Sequence, residues 1–173
     1  MKNKLAVLGL LVAAVSVPAL AEKADRDKPI EISADNGTLD QAKGVTVWEG
    51  NVIVTQGTLK ISADRVVVTR DPQGNQTLQA TGKRVNFRQK TDNKDEWIEG
   101  QGSRLDYNSV SHQAVLTGAA RIKRGEDLVA GEVINYNTET EMYQVSGGAP
   151  GTAGKGRVTV ILQPKSSDGQ KKP

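Results

Sequence analysis

Few residues of this chain are of a kind that could do covalent chemistry, and their spacing does not assemble them. His112 is the single histidine and there is no cysteine, so a zinc site fails on ligand count. His112 stands between Ser111 and Gln113, a polar turn, and reads as a surface residue. Ser103, in Gly100-Gln101-Gly102-Ser103, lacks the trailing glycine and the helix of a nucleophile elbow. Residues 149–156 have the glycine content of a phosphate loop. Ala149 stands where that loop needs glycine, however, and Gly156 where it needs Ser or Thr. The pairs Asp95-Glu96 and Glu126-Asp127 fall in turns, where a carboxylate is simply solvated. No enzyme, catalytic residue, metal or cofactor is expected. The chemistry on offer is non-covalent: aliphatic faces, basic side chains and strand edges.

The elements that present these groups are β-strands. Residues 48–56 form one strand, with Val52 and Val54 on one face, and Gly57 allows a tight reversal. The next strand alternates Leu59, Ile61 and Ala63 with Lys60, Ser62 and Asp64, and a period of two sends those sets to opposite faces. Residues 30–35 alternate likewise. Further strands are expected at 76–89 (two, broken at Gly82), 97–107, 113–123, 128–136, 141–146 and 157–162. Turns are expected at Asn36-Gly37, Lys43-Gly44, 71–75, 108–109, Gly125 and Asn137-Thr138. No stretch after residue 21 has helical periodicity. The fold class is all-β.

Residues 1–21 are expected to be a cleaved signal peptide. Lys2 and Lys4 precede an apolar run from 5 to 17, and Ala19-Leu20-Ala21 is a small-residue cleavage site. Without cysteine there is no site for an N-terminal lipid, so a soluble mature chain is expected; the basic start and small-residue cleavage site suit bacterial export, and the expected location is the periplasm. One domain is expected over residues 22–163, with a disordered, Lys- and Ser-rich tail over 164–173. Of the 23 Lys and Arg, the leader takes two, leaving 21 against 20 acidic residues. That balance gives no electrostatic footprint for nucleic acid. Aromatics make up only 3% of the chain, so Val, Ile and Leu must fill the interior or leave part of it open.

The chain also repeats itself. Ile32-Ser33-Ala34-Asp35 recurs as Ile61-Ser62-Ala63-Asp64, with weaker echoes at 98–101 and 129–132. Each is followed by a second element carrying a glycine, at Gly50, Gly82, Gly118 and Gly147. The starts are spaced by 29, 37 and 31 residues, so each unit is one or two hairpins. Such a unit cannot bury its apolar face alone and must stack on its neighbours. The recurrent glycine predicts a bulge or bend at the same place in every layer.

Residues 50–70 (GNVIVTQGTLKISADRVVVTR) resemble the LptA (OstA-like) family of periplasmic lipopolysaccharide transport proteins. Residues 29–35 (PIEISAD), 82–87 (GKRVNF) and 115–118 (VLTG) also match. The likeness spans roughly residues 28–163. It implies an open, twisted β-jellyroll of about sixteen short antiparallel strands, V-shaped in section. It further implies a hydrophobic groove for the acyl chains of lipopolysaccharide. Finally, it implies head-to-tail assembly into a bridge between an LptC-like inner-membrane partner and an LptD-like outer-membrane partner.

Laid on the alternating apolar positions, the expected groove walls are Ile30, Ile32, Val52, Val54, Leu59, Ile61, Val66, Val68, Phe87, Leu105, Tyr107, Leu116, Ile134 and Tyr136. Lys60, Arg65, Arg70, Lys83 and Arg84 are the candidate phosphate contacts. The expected oligomer edges are Ile30 and Ile32 at one end and Val158, Val160 and Leu162 at the other. The competing expectation is a β-repeat scaffold that binds only protein partners and has a dry, packed interior.

Overall fold

The computed structural model describes Asp25 and residues 28–91, 96–148 and 156–164. The expected leader, the middle of the glycine-rich loop and most of the expected tail lie outside those residues. Ten antiparallel strands form one sheet: β1 (Ile30–Ser33), β2 (Asn36–Asp40), β3 (Val45–Gln56), β4 (Leu59–Arg70), β5 (Gln76–Lys90), β6 (Trp97–Asn108), β7 (Gln113–Arg124), β8 (Asp127–Asn137), β9 (Tyr143–Ser146) and β10 (Thr159–Ile161). From β3 to β8 each strand pairs with the next in sequence. β1 and β2 share the far edge of β3, and β9 and β10 share the far edge of β8.

Every pairing among the six long strands has a register shift near its middle: at Glu49/Val52, Ser62/Arg65, Thr81/Val85, Gln101/Arg104 and Thr117/Ala120. The shifts line up into a crease. It divides the sheet into two half-sheets whose apolar faces look at one another, as an open jellyroll requires. Counting each long strand as two halves, with the four short strands, gives sixteen segments.

The repeated tetrapeptides and the recurrent glycines meet at this crease. Gly50 and Gly118 adopt φ of 80° and 83°, and Asn51 and Ala119 follow at 47° and 49°. Two left-handed residues in succession form a sharp bulge, and glycine makes the first of them inexpensive. A polar residue in the repeat or just after it clips the bulge in the neighbouring strand. Asp35 accepts from Asn51 Nδ2 at 2.9 Å. Asp64 accepts from the Lys83 amide at 2.8 Å. Ser103 donates to the Thr117 carbonyl at 3.0 Å. The fourth glycine of the series, Gly147, departs from this plan and lies beyond the end of β9.

Several expectations are corrected in detail. Asn36-Gly37 is not a turn but the start of β2, opposite Trp48 and Glu49. A side chain at Gly37 would overlap the Trp48 ring, so glycine is there for space. Residues 76–90 are one bulged strand rather than two. β9 begins at Tyr143, because residues 138–142 complete the preceding turn. The last strand is confined to Thr159–Ile161.

Candidate functional site: a slot between the half-sheets

The inward-facing residues follow from the register. In one half-sheet a row runs Ile32, Val54, Ile61, Phe87, Gly100, Ile122, Val129, Val160. In the other, two rows run Trp48, Val66, Ala80, Leu105, Leu116, Ile134, Val145 and Thr46, Val68, Leu78, Tyr107, Ala114, Tyr136, Tyr143. Gly100 lies opposite Phe87, and any side chain on it would collide with that ring. The only phenylalanine of the chain is therefore accommodated by an absent side chain.

Between the rows lies a cavity of about 670 Å³, within the range of ligand-binding sites. Ten of the expected groove residues line it: Ile30, Ile32, Val54, Leu59, Ile61, Val68, Phe87, Leu105, Tyr107 and Tyr136. The other four do not. Val52, Val66, Leu116 and Ile134 are among the most buried side chains of the core, at 0–1% exposure, and pack beside the crease. Sequence reasoning missed Leu39, Trp48, Leu78 and Ala114, which complete the walls. Period-two alternation carries the signal for all four.

Polar groups rim the slot. Asp40, Gln41, Arg70, Gln76, Ser109, His112 and Thr138 stand along one lip, and Gln56, Gln89 and Asp25 along the other. His112 is therefore a rim residue rather than a generic surface one. Its backbone is left-handed (φ 54°), its carbonyl accepts from the Thr138 amide at 2.8 Å, and its Nδ1 is buried without a partner. Asp25 is 6% exposed. It accepts from the Thr58 amide at 3.0 Å, the Thr58 hydroxyl at 2.5 Å and Gln89 Nε2 at 3.3 Å, which fixes the chain to the β3–β4 turn.

Of the basic candidates only Arg70 lines the slot. Lys83 and Arg84 fall at the crease, where the bulge after Gly82 turns them into a separate, shallow trough with Arg121, Arg157 and Glu132. Arg65 pairs with Glu49 at 3.0 Å, and Lys60 alternates outward between Leu59 and Ile61. At the edges, Ile30, Val158, Val160 and Leu162 are all exposed, at 42–70%.

The slot is not uniform along its length. On the wall containing Phe87 the cavity reaches no further than β5. Beyond it, Ile98 and Ile122 are buried at 4% and 2% exposure and do not line the cavity. There Arg124, at the end of β7, places Nη1 2.7 Å from Glu141 Oε2 in the β8–β9 turn, and Nε 3.5 Å from Glu96 Oε2. Burial pulls the Arg124 guanidinium down, but its bond to and the charge of Glu141, with Tyr143 and Glu96, outweigh that and hold it above its usual value. Burial pushes the neighbouring Tyr143 hydroxyl up, against the opposing charge of Arg124.

Among the described residues no group of three His, Asp or Glu side chains could hold a metal, and no helix is long and apolar enough to cross a membrane. A family model described as LptA/(LptD N-terminal domain) LPS transport protein matches residues 31–142. The chain is 40% identical over 167 residues to lipopolysaccharide export system protein LptA of Escherichia coli K12, covering 94% of this chain and 87% of that one. It is 30% identical over 162 residues to lipopolysaccharide export system protein LptH of Pseudomonas aeruginosa, covering 92% and 93%. The crystal structure of LptH, described as the LptA-homologous periplasmic component of the lipopolysaccharide transport device of that organism, superimposes with a TM-score of 0.73. That match has 29% identity and covers 81% of this chain and 99% of the other. With the creased sheet and its apolar slot, these likenesses establish that the chain belongs to the LptA/LptD N-terminal domain family of lipopolysaccharide transport proteins.

Proposed function

We propose that this protein is a periplasmic, non-enzymatic carrier that holds lipopolysaccharide by its acyl chains in the slot and links inner and outer membranes. The observation that carries this reading is the cavity itself. It is an apolar space, walled by aliphatic side chains and four aromatic rings, shared by two half-sheets, rimmed by polar groups and open at its lip. Burying acyl CH₂ groups yields about 0.8 kcal/mol each, so a twelve-carbon chain gains on the order of 9 kcal/mol before ordering costs. The sugar and phosphate headgroup stays at the rim, where Arg70 and His112 face it. Binding by desolvation alone needs no catalytic group, and directed movement draws on energy supplied elsewhere.

Bridging follows from the edges. β1 and β2 leave one unpaired edge and β9 and β10 another, and the two are different. Joining one to the other is a heterologous contact that does not close, so copies add head to tail. LptC-like and LptD-like partners would present the same kind of edge at the two ends of the chain of copies.

Photo-crosslinkers at Phe87 and Ile32, with Ser62 as an outward-facing control, test the slot in cells. Lipopolysaccharide adducts are expected at the first two positions and not the third. Lipid-free samples at Phe87 and Ile32 would favour the dry scaffold instead. For the edges, deletion of residues 157–173 should abolish concentration-dependent oligomers in sizing experiments. Persistence of the same oligomers would place the contact elsewhere.

A further inference from the structure

The ladder hydrogen bonds join strands within each half-sheet, but at the far end of the slot the two lips are joined by side chains. Arg124 shares an inward row with Ile30, Gln56, Leu59, Gln89 and Ile98. Its partner Glu141 belongs to the opposite half-sheet, in the turn that leads to β9. The guanidinium is 24% exposed and Glu141 38%, so the pair stands at the lip, at the level where a headgroup would sit. Glu141 holds a left-handed backbone (φ 55°), an uncommon and costly state for a residue with a side chain. Beside the pair, Tyr143 stacks on Tyr136 with ring centroids 4.7 Å apart. Its hydroxyl is buried beside Arg124 and Tyr136. Arg70, the inward arginine at the open end, has no ion-pair partner among the described residues.

Resting on the reading of the slot as the acyl-chain site, we infer that Arg124 is a phosphate-binding residue of its closed end, held by Glu141 until a lipid-borne phosphate displaces that carboxylate and frees the two lips. The exchange is chemically matched. A guanidinium fork accepts carboxylate and phosphate in the same bidentate geometry, and phosphate brings more charge and a third acceptor oxygen. A partly exposed pair is weak and easily traded. Releasing Glu141 lets its turn relax. Once the clasp opens, Ile98 and Ile122 become wall rather than core. The slot then runs on to the β9/β10 edge, where the next copy would begin.

The test uses the mature protein with bisphosphorylated lipid A, the same lipid dephosphorylated, and inorganic phosphate alone. Crosslinkers at Ile32 and Ile122 report the open and closed ends, and amide exchange over Tyr143–Ser146 reports the clasp. Lipid A should speed that exchange, and inorganic phosphate alone should not. Glu141→Gln should raise Ile122 adducts several-fold. Arg124→Gln should keep Ile32 adducts while weakening binding of the bisphosphorylated lipid about tenfold and of the dephosphorylated lipid not at all. Arg124→Lys should recover part of that loss, which a folding defect would not. If wild type and Arg124→Gln bind both lipids alike while Ile32 is still labelled, or both variants lose both lipids equally, Arg124 is structural only. Opening by inorganic phosphate alone would also overturn the assignment to a lipid headgroup. No adduct at Ile32 in the wild type would sink the slot reading and this inference with it.

Discussion

The two ends of the slot are built from the same kind of residue in the same rows, and only one of them is open. At the β1–β5 end, Ile32, Val54, Ile61 and Phe87 face Val68, Leu78 and Tyr107 across empty space. At the β6–β9 end, Ile98 and Ile122 lie outside the cavity lining, and Arg124 and Glu141 join the lips. Hydrophobicity does not distinguish the ends. What differs is whether the cavity runs between the opposing walls. An aliphatic row that meets its opposite is core, and the same row held apart is a binding surface. The energetic consequence is that closed-end residues should carry stability and open-end residues should carry ligand.

The largest effect expected from that contrast is at Ile134. It is fully buried, and truncation to alanine should cost about 3 kcal/mol in urea denaturation, because a packed site cannot collapse. The same truncation at Leu78, on the cavity wall, should cost only about 1 kcal/mol. Equal losses would mean that the cavity wall is as tightly packed as the crease. A sharper version uses two alanines of one strand. Ala120→Phe, at a site with 0% exposure beside the crease, should destabilise by roughly 3 kcal/mol through overpacking. Ala114→Phe projects into the cavity and should change stability by under about 1 kcal/mol while suppressing lipid adducts at Phe87.

A smaller effect is expected at the crease that both ends share. Asp64→Ala removes the acceptor of the Lys83 amide. It should cost about 1 kcal/mol and speed exchange of that amide without altering distant strands. The smallest concerns pH. Hydrogen bonds from Asn75, first its side chain, hold the Asp71 carboxyl below 3.8, and the Lys43 side chain does the same for Asp40. A lowered native value means a contribution that is present above the unfolded value and lost as pH falls through the native one. Asp40 ends β2 just before the 41–44 turn, and Asp71 opens the 71–75 turn. Melting temperature should therefore fall slightly more steeply below pH about 4 in the wild type than in Asp71→Asn.

Val52 and Val54 show how far the sequence could be read. They stand two apart on one strand, with the same chemistry and the same face. Alternation predicts correctly that both point inward, yet Val54 lines the cavity and Val52 packs the crease. Distance from the bulge decides between them, and no periodicity records how far apart the half-sheets stand. Lys83 and Arg84 teach the same lesson for charge. Gly82 was legible as a bend, but the direction in which the bend turned the two cations was not. His112 reads as an ordinary turn residue in the sequence, because its unpartnered Nδ1 is created by neighbours remote in sequence.

By itself the sequence determined the local terms: strands from period-two alternation and bulges from recurrent glycines. It also left few rings for the interior, and four of them, Trp48, Phe87, Tyr107 and Tyr136, line the cavity among the aliphatic side chains. Only the tertiary structure decided where the two faces touch and where they stay apart. That outcome depends on contacts across the crease between residues far apart in the chain, such as Arg124 and Glu141. The location of the slot, and of the clasp that ends it, is for that reason a property of the folded sheet rather than of any segment.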